Sequence, residues 1–331
     1  MSGVQLLQVQ SDQDGMRLDR WFKSLFPQLG HGQLEKLLRK GQIRVDGGRV
    51  KANSRLATGQ TVRVPPLPDR KPRDDRRNSL QGVPDELKQQ IRDSVIYQDD
   101  DVLVLNKPSG LAVQGGSKTS FHVDGLLDLL TFGADERPRL VHRLDRDTSG
   151  ALVIGRNRRA AHFLTKAFAA RDARKIYWGL TQGVPRPEQG DINLKLIKRA
   201  AADGAERVRP AEKGEQGGLK AVTRFSVISR AGQDFAWVAF MPLTGRTHQI
   251  RAHALAIGHP LVGDGKYYDP ELVTGGELAR KLHLHAYSID LPHPAGGRFS
   301  ATAALSGHMA ESWSFLGFEP ESFEDPFPED I

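Results

Sequence analysis

Cysteine is absent from all 331 residues, and with it go disulfide staples, thiolate nucleophiles, iron–sulfur clusters and cysteine-ligated zinc. No apolar run nears the roughly 20 residues that a bilayer-crossing helix needs. The first 20 residues also lack a basic segment leading into an apolar one, so no secretion signal is read. Phosphate-cradling glycine patterns are missing too. Neither G-x-x-x-x-G-K-S/T nor a helix-opening G-x-G-x-x-G occurs, which speaks against a nucleotide cofactor. Histidine is plentiful, at 11, and six of them (His248, His253, His259, His283, His285 and His293) crowd the second half. His248 and His253 stand five apart, about 140° around a helix, so they do not share the face that an i, i+4 zinc pair requires. These absences describe a soluble, cytoplasmic protein without metal or cofactor, taken as a monomer by default.

Charge is present in excess of one sign. Lys and Arg number 47 against 40 Asp and Glu, for a net +7. Residues 1–80 hold 16 basic and 8 acidic side chains, whereas residues 319–331 carry six acids and no base. A clustered positive field attracts polyanions and releases their counterions; a merely solvated basic surface has the same composition.

Apolar residues at Leu18, Trp21, Phe22, Leu25 and Phe26 follow the stripe of an amphipathic helix over residues 16–26. Pro27 and Gly30 end it, and Leu34, Leu37 and Leu38 mark a second helix that stops at Gly41. Ile43, Val45, a turn at Asp46-Gly47-Gly48 and a strand over 61–64 complete a small helix–helix–hairpin module at residues 15–64. Arg17, Lys36, Arg39, Lys40 and Arg44 are among its basic polar positions. Residues 65–90 open with prolines and charges that cannot bury a core, and read as a basic linker. The body, residues 91–318, has strand-like runs at 102–105, 151–154, 176–180, 221–229, 235–241 and 286–291, with helices at 158–170 and 247–257. Many strands with few helices between them indicate an α+β domain with a mixed, largely antiparallel sheet. Residues 200–219 read as a loop and residues 319–331 as a disordered acidic tail.

The segment His142-Arg143-Leu144-Asp145-Arg146-Asp147-Thr148-Ser149-Gly150 concentrates bases, acids and hydroxyls just before an apolar strand. A carboxylate wedged between Arg143 and Arg146 suits a nucleophile; an Asp that caps a turn or pairs with arginine fits the same residues.

This segment resembles the HRLDxxTSG signature of the RluA-type RNA pseudouridine synthases. Three further blocks agree in order and spacing: Asn106-Lys107-Pro108-Ser109-Gly110, Lys175-Ile176-Tyr177, and Thr244-Gly245-Arg246-Thr247-His248-Gln249-Ile250-Arg251-Ala252-His253. Gly258-His259-Pro260 and Gly263-Asp264 follow in place, and the amino-terminal module is similar to an S4-type RNA-binding domain. Gly115-Gly116-Ser117 resembles the ribosomal C-type branch. The likeness covers roughly residues 15–305. It implies isomerisation of uridine to pseudouridine in large-subunit ribosomal RNA, without cofactor.

By the same resemblance Asp145 is the nucleophile, attacking C1′ of the sugar or C6 of the base. Arg246 pairs with it, and Tyr177 packs on the target base and assists proton removal from C5. His142 and Arg143 are assigned to RNA contact, Lys175 to phosphate contact or loop support, and the basic module to gripping RNA. Two departures stand out: Gly179 lies where the family more often has alanine, and Tyr268 where glycine is usual. Two rival readings remain. Asp145-Arg146-Asp147 offers a DxD pair for magnesium and phosphoryl transfer, and an inactive RNA-binding assembly factor would share the same basic module.

Overall fold

The computed structural model describes residues 3–27, 29–67, 80, 82–116, 119–200, 206–267 and 278–327. The chain divides into two units, Met1–Gln81 and Gly82–Ile331. Residues 68–79 and 81 of the expected linker, Ser117, residues 201–205 of the expected loop, Tyr268 and residues 328–331 of the tail lie outside the described residues.

In the first unit β1 (Gln5–Gln8) precedes α1 (Leu18–Leu25), α2 (His31–Arg39), β2 (Arg44–Val45) and β3 (Thr61–Val64). The strands pair antiparallel in the order β1-β3-β2. Leu18, Trp21 and Phe22 of the α1 stripe are buried with Leu34, Leu38, Ile43, Val62 and Val64. β1 is the element that sequence periodicity does not announce, since QLLQ offers only a single alternation.

In the second unit α3 (Asp85–Asp93) runs into β4 (Val95–Gln98) and β5 (Val102–Lys107). The expected linker therefore ends earlier than residue 90: Ile91 is buried and anchors a helix whose first turn is acidic, which suits the helix dipole. α4 (Val123–Leu126), β6 (Arg139–Leu140), β7 (Ser149–Gly155), α5 (Arg158–Ala170), β8 (Arg174–Gln182), β9 (Gln189–Ala200) and β10 (Glu206–Pro210) follow. β11 (Leu219–Ala231), β12 (Phe235–Pro242), α6 (Gln249–Ala256), β13 (Leu284–Pro292), β14 (Arg298–Thr302) and α7 (His308–Phe315) complete it. α5 has clear local causes: the Asn157 side chain accepts from the Ala160 N–H at 2.8 Å, and Ala160, Ala161, Leu164 and Ala167 form its buried stripe.

The sheet runs β10-β9-β11-β12-β8-β13-β7-β5-β4, with β14 on β13 and β6 on β7. Neighbours are antiparallel except β13 and β7, which pair parallel through His285↔Ser149 and Ala286↔Gly150 alone. Gly150, at φ 102°, makes that joint possible, because a Cβ there would lie 2.2 Å from the Ala286 carbonyl oxygen. The expected α+β class with a mixed, mostly antiparallel sheet is the observed one.

Two expectations fail in this unit. Part of the segment read as a loop is strand β10, paired with β9 over Glu206–Pro210. The acidic tail is docked at least as far as Phe327: Phe323 stands 5.0 Å from the Trp178 ring, Phe327 is buried, and Asp325 pairs with Arg174. Two aromatic anchors and an ion pair hold the strongly charged segment down. Gly179 also has a packing reason, since a Cβ there would meet Leu261 at 2.8 Å and Phe240 at 2.9 Å. Among the described residues no helix is long and apolar enough to cross a membrane.

Candidate active site

Asp145 sits in the loop between β6 and β7, and that loop is splinted from beneath by the end of β5. The fully buried Lys107 donates through Nζ to the carbonyls of Pro108 at 2.8 Å, Leu111 at 2.9 Å and Arg146 at 3.0 Å. Three acceptors satisfy its three ammonium protons. Burial pushes its pKa down to about 7, opposed by Asp147 and Asp145. Ser109 Oγ donates to the Asp147 carbonyl at 2.9 Å and the Gly110 N–H to the Arg146 carbonyl at 3.0 Å. The block Asn106–Gly110 thus fixes the backbone on which Asp145 is carried.

The Asp145 carboxylate is held on one side. Arg251, on α6, donates through Nη1 to Oδ2 at 3.1 Å and grips buried Asp264 through Nε at 2.7 Å and Nη2 at 2.6 Å. Burial opposes the Arg251 charge. Asp264, with Asp145 behind it, more than compensates, so its pKa lies above the ordinary guanidinium value. His248 Nε2 lies 3.6 Å from the same Oδ2. Among the described residues no hydrogen bond reaches Oδ1, leaving one carboxylate oxygen available for attack.

Asp145 opens on a cleft of about 180 Å³ lined by Arg143, Lys175, Tyr177, Arg246, His248 and Arg251, with apolar cover from Leu144, Ile250 and Leu284. Burial and the neighbouring Asp145 charge raise the Tyr177 pKa, so its phenol keeps its proton. Burial lowers that of Lys175. A wider recess of about 890 Å³ shares Arg143, Asp145, His248 and Arg251 with the cleft and adds Arg146, Arg207, Lys266, Arg280 and Lys281. This is a basic surround for a polyanion.

The ion pair expected of Arg246 is therefore made by Arg251. Arg246 lies in the turn before α6, where its Nε donates to the Lys220 carbonyl at 3.1 Å and its N–H to Gln249 Oε1 at 3.0 Å. It lines the cleft but the structure gives it no bond to Asp145. Arg251 comes from α6 itself, whose residues Gln249 to Ala254 are all buried. A charge in such a helix needs an internal partner, and Asp264 with Asp145 supplies it.

His142 also departs from expectation. Its Nε2 accepts the Val153 N–H at 2.8 Å, its ring stacks on Phe168 at 4.3 Å, and burial, aided by Lys175, pushes its pKa down to about 3. It is a neutral, half-buried brace between β7 and α5. The DxD reading is split as well: Asp147 pairs with Arg146 at 3.0 Å while Asp145 faces Arg251.

Residues 101–256 match the model of the RNA pseudouridylate synthase family. An RNA pseudouridine synthase of Synechocystis sp. is 34% identical over 316 residues, covering 91% of this chain and 89% of its own. Ribosomal large subunit pseudouridine synthase C of Vibrio vulnificus is 36% identical over 298 residues, 88% of this chain and 90% of its own. The chain belongs to the RluA-type RNA pseudouridine synthases. Among solved structures, human RNA pseudouridylate synthase domain containing 4 superposes with a TM-score of 0.59 at 27% identity, covering 71% of this chain and 97% of that one.

For a pseudouridine synthase of this type, the remaining basic candidates fall into two groups. Arg143 is exposed and reaches both the cleft and the recess. Arg17, Lys36, Arg39, Lys40 and Arg44 lie exposed in the first unit, the middle three at the end of α2. Arg17 is engaged with Asp19 at 3.1 Å, and Arg44 with the carbonyls of Gly41 at 3.1 Å and Gly47 at 3.0 Å. Several of the crowded histidines are internal hydrogen-bonding groups: His253 meets Thr223 Oγ1 at 2.9 Å, His283 meets Ser312 Oγ at 2.8 Å, and His285 meets Ser149 Oγ at 2.8 Å. Burial pushes each of these three down to about 4. Among the described residues no three His, Asp or Glu gather as a metal site.

Proposed function

We propose that this pseudouridine synthase converts uridines of large-subunit ribosomal RNA to pseudouridine in the cytoplasm, as a monomer and without cofactor. The N1–C1′ bond breaks, the uracil turns, and a C5–C1′ bond forms. C5 loses a proton and N1 gains one, so there is no net redox change. Asp145 is the nucleophile, through Oδ1. Attack at C1′ and addition at C6 make the same demand, an oriented carboxylate with one unencumbered oxygen. Arg251 holds Oδ2 and stabilises the charge each time it returns. Tyr177, kept as a phenol, packs on the base and assists removal of the C5 proton, which leaves to solvent. Arg246 is a cleft contact to RNA. Arg143 and Lys175 engage the backbone of the flipped nucleotide, and the basic face of the first unit, read as an S4-like module, grips RNA by phosphate and shape.

The observation that carries this reading is the asymmetric clamp on Asp145 at the floor of an open, basic cleft. Tritium release from RNA labelled at uracil C5 tests it: Asp145→Asn is expected to stop release while RNA binding stays within a few-fold. Full release by that variant ends the proposal.

A further inference from the structure

His248 carries no role in the mechanism above, yet it is the most constrained residue in the site. It takes φ 51° and ψ 25° at the start of α6. That is the left-handed region, which is strained for a non-glycine residue and persists where its surroundings hold it. Its ring is hydrogen-bonded at one nitrogen and faces the carboxylate with the other. Nδ1 lies 2.7 Å from the Tyr267 hydroxyl, and Nε2 lies 3.6 Å from Asp145 Oδ2, the oxygen that Arg251 also holds. The Tyr267 oxygen accepts the Val208 N–H at 3.0 Å, and the Arg251 guanidinium lies 5.0 Å over the Tyr267 ring.

The partners around the ring favour one tautomer. With the Val208 N–H already directed at its oxygen, the Tyr267 hydroxyl is placed to give its own proton to Nδ1. A neutral imidazole that accepts at Nδ1 carries its proton on Nε2. Burial holds the His248 pKa below its ordinary value; Asp145 and Asp264 oppose this, while Arg251 and Lys266 add to it. Burial also pushes Tyr267 up to about 12, so it remains a donor.

We propose that His248 is a positioning residue for the nucleophile, its Nε2–H set against Asp145 Oδ2 by the Tyr267 hydroxyl at Nδ1. The inference rests on the reading of Asp145 as nucleophile. With Arg251 and His248 on one oxygen, rotation of the carboxylate is restricted and Oδ1 is directed at the base. The 3.6 Å approach exceeds a hydrogen bond; catalytic contacts of this kind shorten when substrate fills the site. Val208 belongs to β10, so the same path ties the edge of the sheet to the reactive carboxylate.

The test compares His248→Gln, His248→Asn and His248→Ala in the full chain, on transcribed large-subunit ribosomal RNA labelled at uracil C5. Single-turnover rate, KM and melting temperature are measured. Glutamine keeps an N–H at the reach of Nε2; asparagine keeps only the Nδ1-like group but tolerates left-handed backbone better. Asn and Ala are expected to lower the single-turnover rate about 10- to 100-fold with KM little changed, and Gln to recover most of it. Tyr267→Phe, which frees the tautomer, is expected to fall between. Asparagine at the wild-type rate with glutamine slow would mean a purely backbone role and would overturn the inference, as would equal rates throughout. If alanine does not fold, the Gln–Asn contrast still decides. An inactive wild-type chain, or an active Asp145→Asn variant, would instead sink the reading on which this one stands.

Discussion

Tyr177 and Trp178 are adjacent on β8, and because strand side chains alternate they look out on opposite faces of the sheet. Tyr177 belongs to the cleft with Asp145, Lys175 and Arg251. Trp178 stacks on Tyr287 at 3.6 Å, meets Trp237 edge-on at 4.7 Å, and is capped by Phe323 from the acidic segment. One face is charged and assembled from distant loops; the other is aromatic. The cleft face is organised around the ion pair of Asp145 with Arg251. The aromatic face makes the strand beneath it stiff, with apolar burial and ring contacts worth about 0.5–1.5 kcal/mol per pair beyond their area.

Substitutions can break or sharpen that contrast. Asp145→Asn acts on chemistry alone: pseudouridine formation is expected to fall by about 1,000-fold or more, as for other lost nucleophiles, with the melting temperature unmoved. Arg251→Met should act on both properties, because it also strands Asp264 in the interior. Activity is expected to drop about 100-fold or more, and urea titration to show a loss of about 3–5 kcal/mol. Arg246→Ala, measured in parallel, should cost under about tenfold, because the structure gives it no bond to the nucleophile. On the aromatic face, Phe323→Ala combined with Phe327→Ala should lower stability by about 3–5 kcal/mol while kcat stays within a few-fold at a temperature where the chain is folded. A large loss of kcat there would mean that the two faces are not separable.

Acid should reveal the smallest difference. His253, His283 and His285 have folded pKa values near 4, below the ordinary histidine value of 6.5. The unfolded chain therefore binds more protons between these limits. The stability they contribute is complete above pH 6.5 and is lost as pH falls through 4. At pH 5 each is expected to cost on the order of 1–2 kcal/mol, visible as a falling melting temperature. His285→Asn should flatten that slope.

The cleft face was largely legible in the sequence and the aromatic face was not, for physical reasons. Asp145 in its loop and Tyr177 on β8 stand in dense local patterns of charge beside continuous apolar runs. Which arginine meets Asp145 depends on Asp264, 13 residues beyond Arg251, and on a helix with no polar side; spacing within the motif does not encode that. Phe323 and Phe327 were hidden by the acids around them, since composition scores a segment whereas docking needs only two anchors and Arg174. β10 escaped notice because Val208 is the one buried side chain among its described residues, as befits a strand on the rim of a sheet.

The parallel joint between β7 and β13 has a temporal side. It is two register pairs wide and is bolted by Ser149 to His285 across 136 residues of sequence. Asp145 precedes the first strand of this joint, whereas Tyr177 and Arg251 are carried by elements between its two strands. A contact so distant along the chain is slow to form, and during synthesis it must wait until residue 286 has left the ribosome. Until then β7 and β8 have no strand between them, and the sheet that sets Asp145 against Tyr177 is not complete.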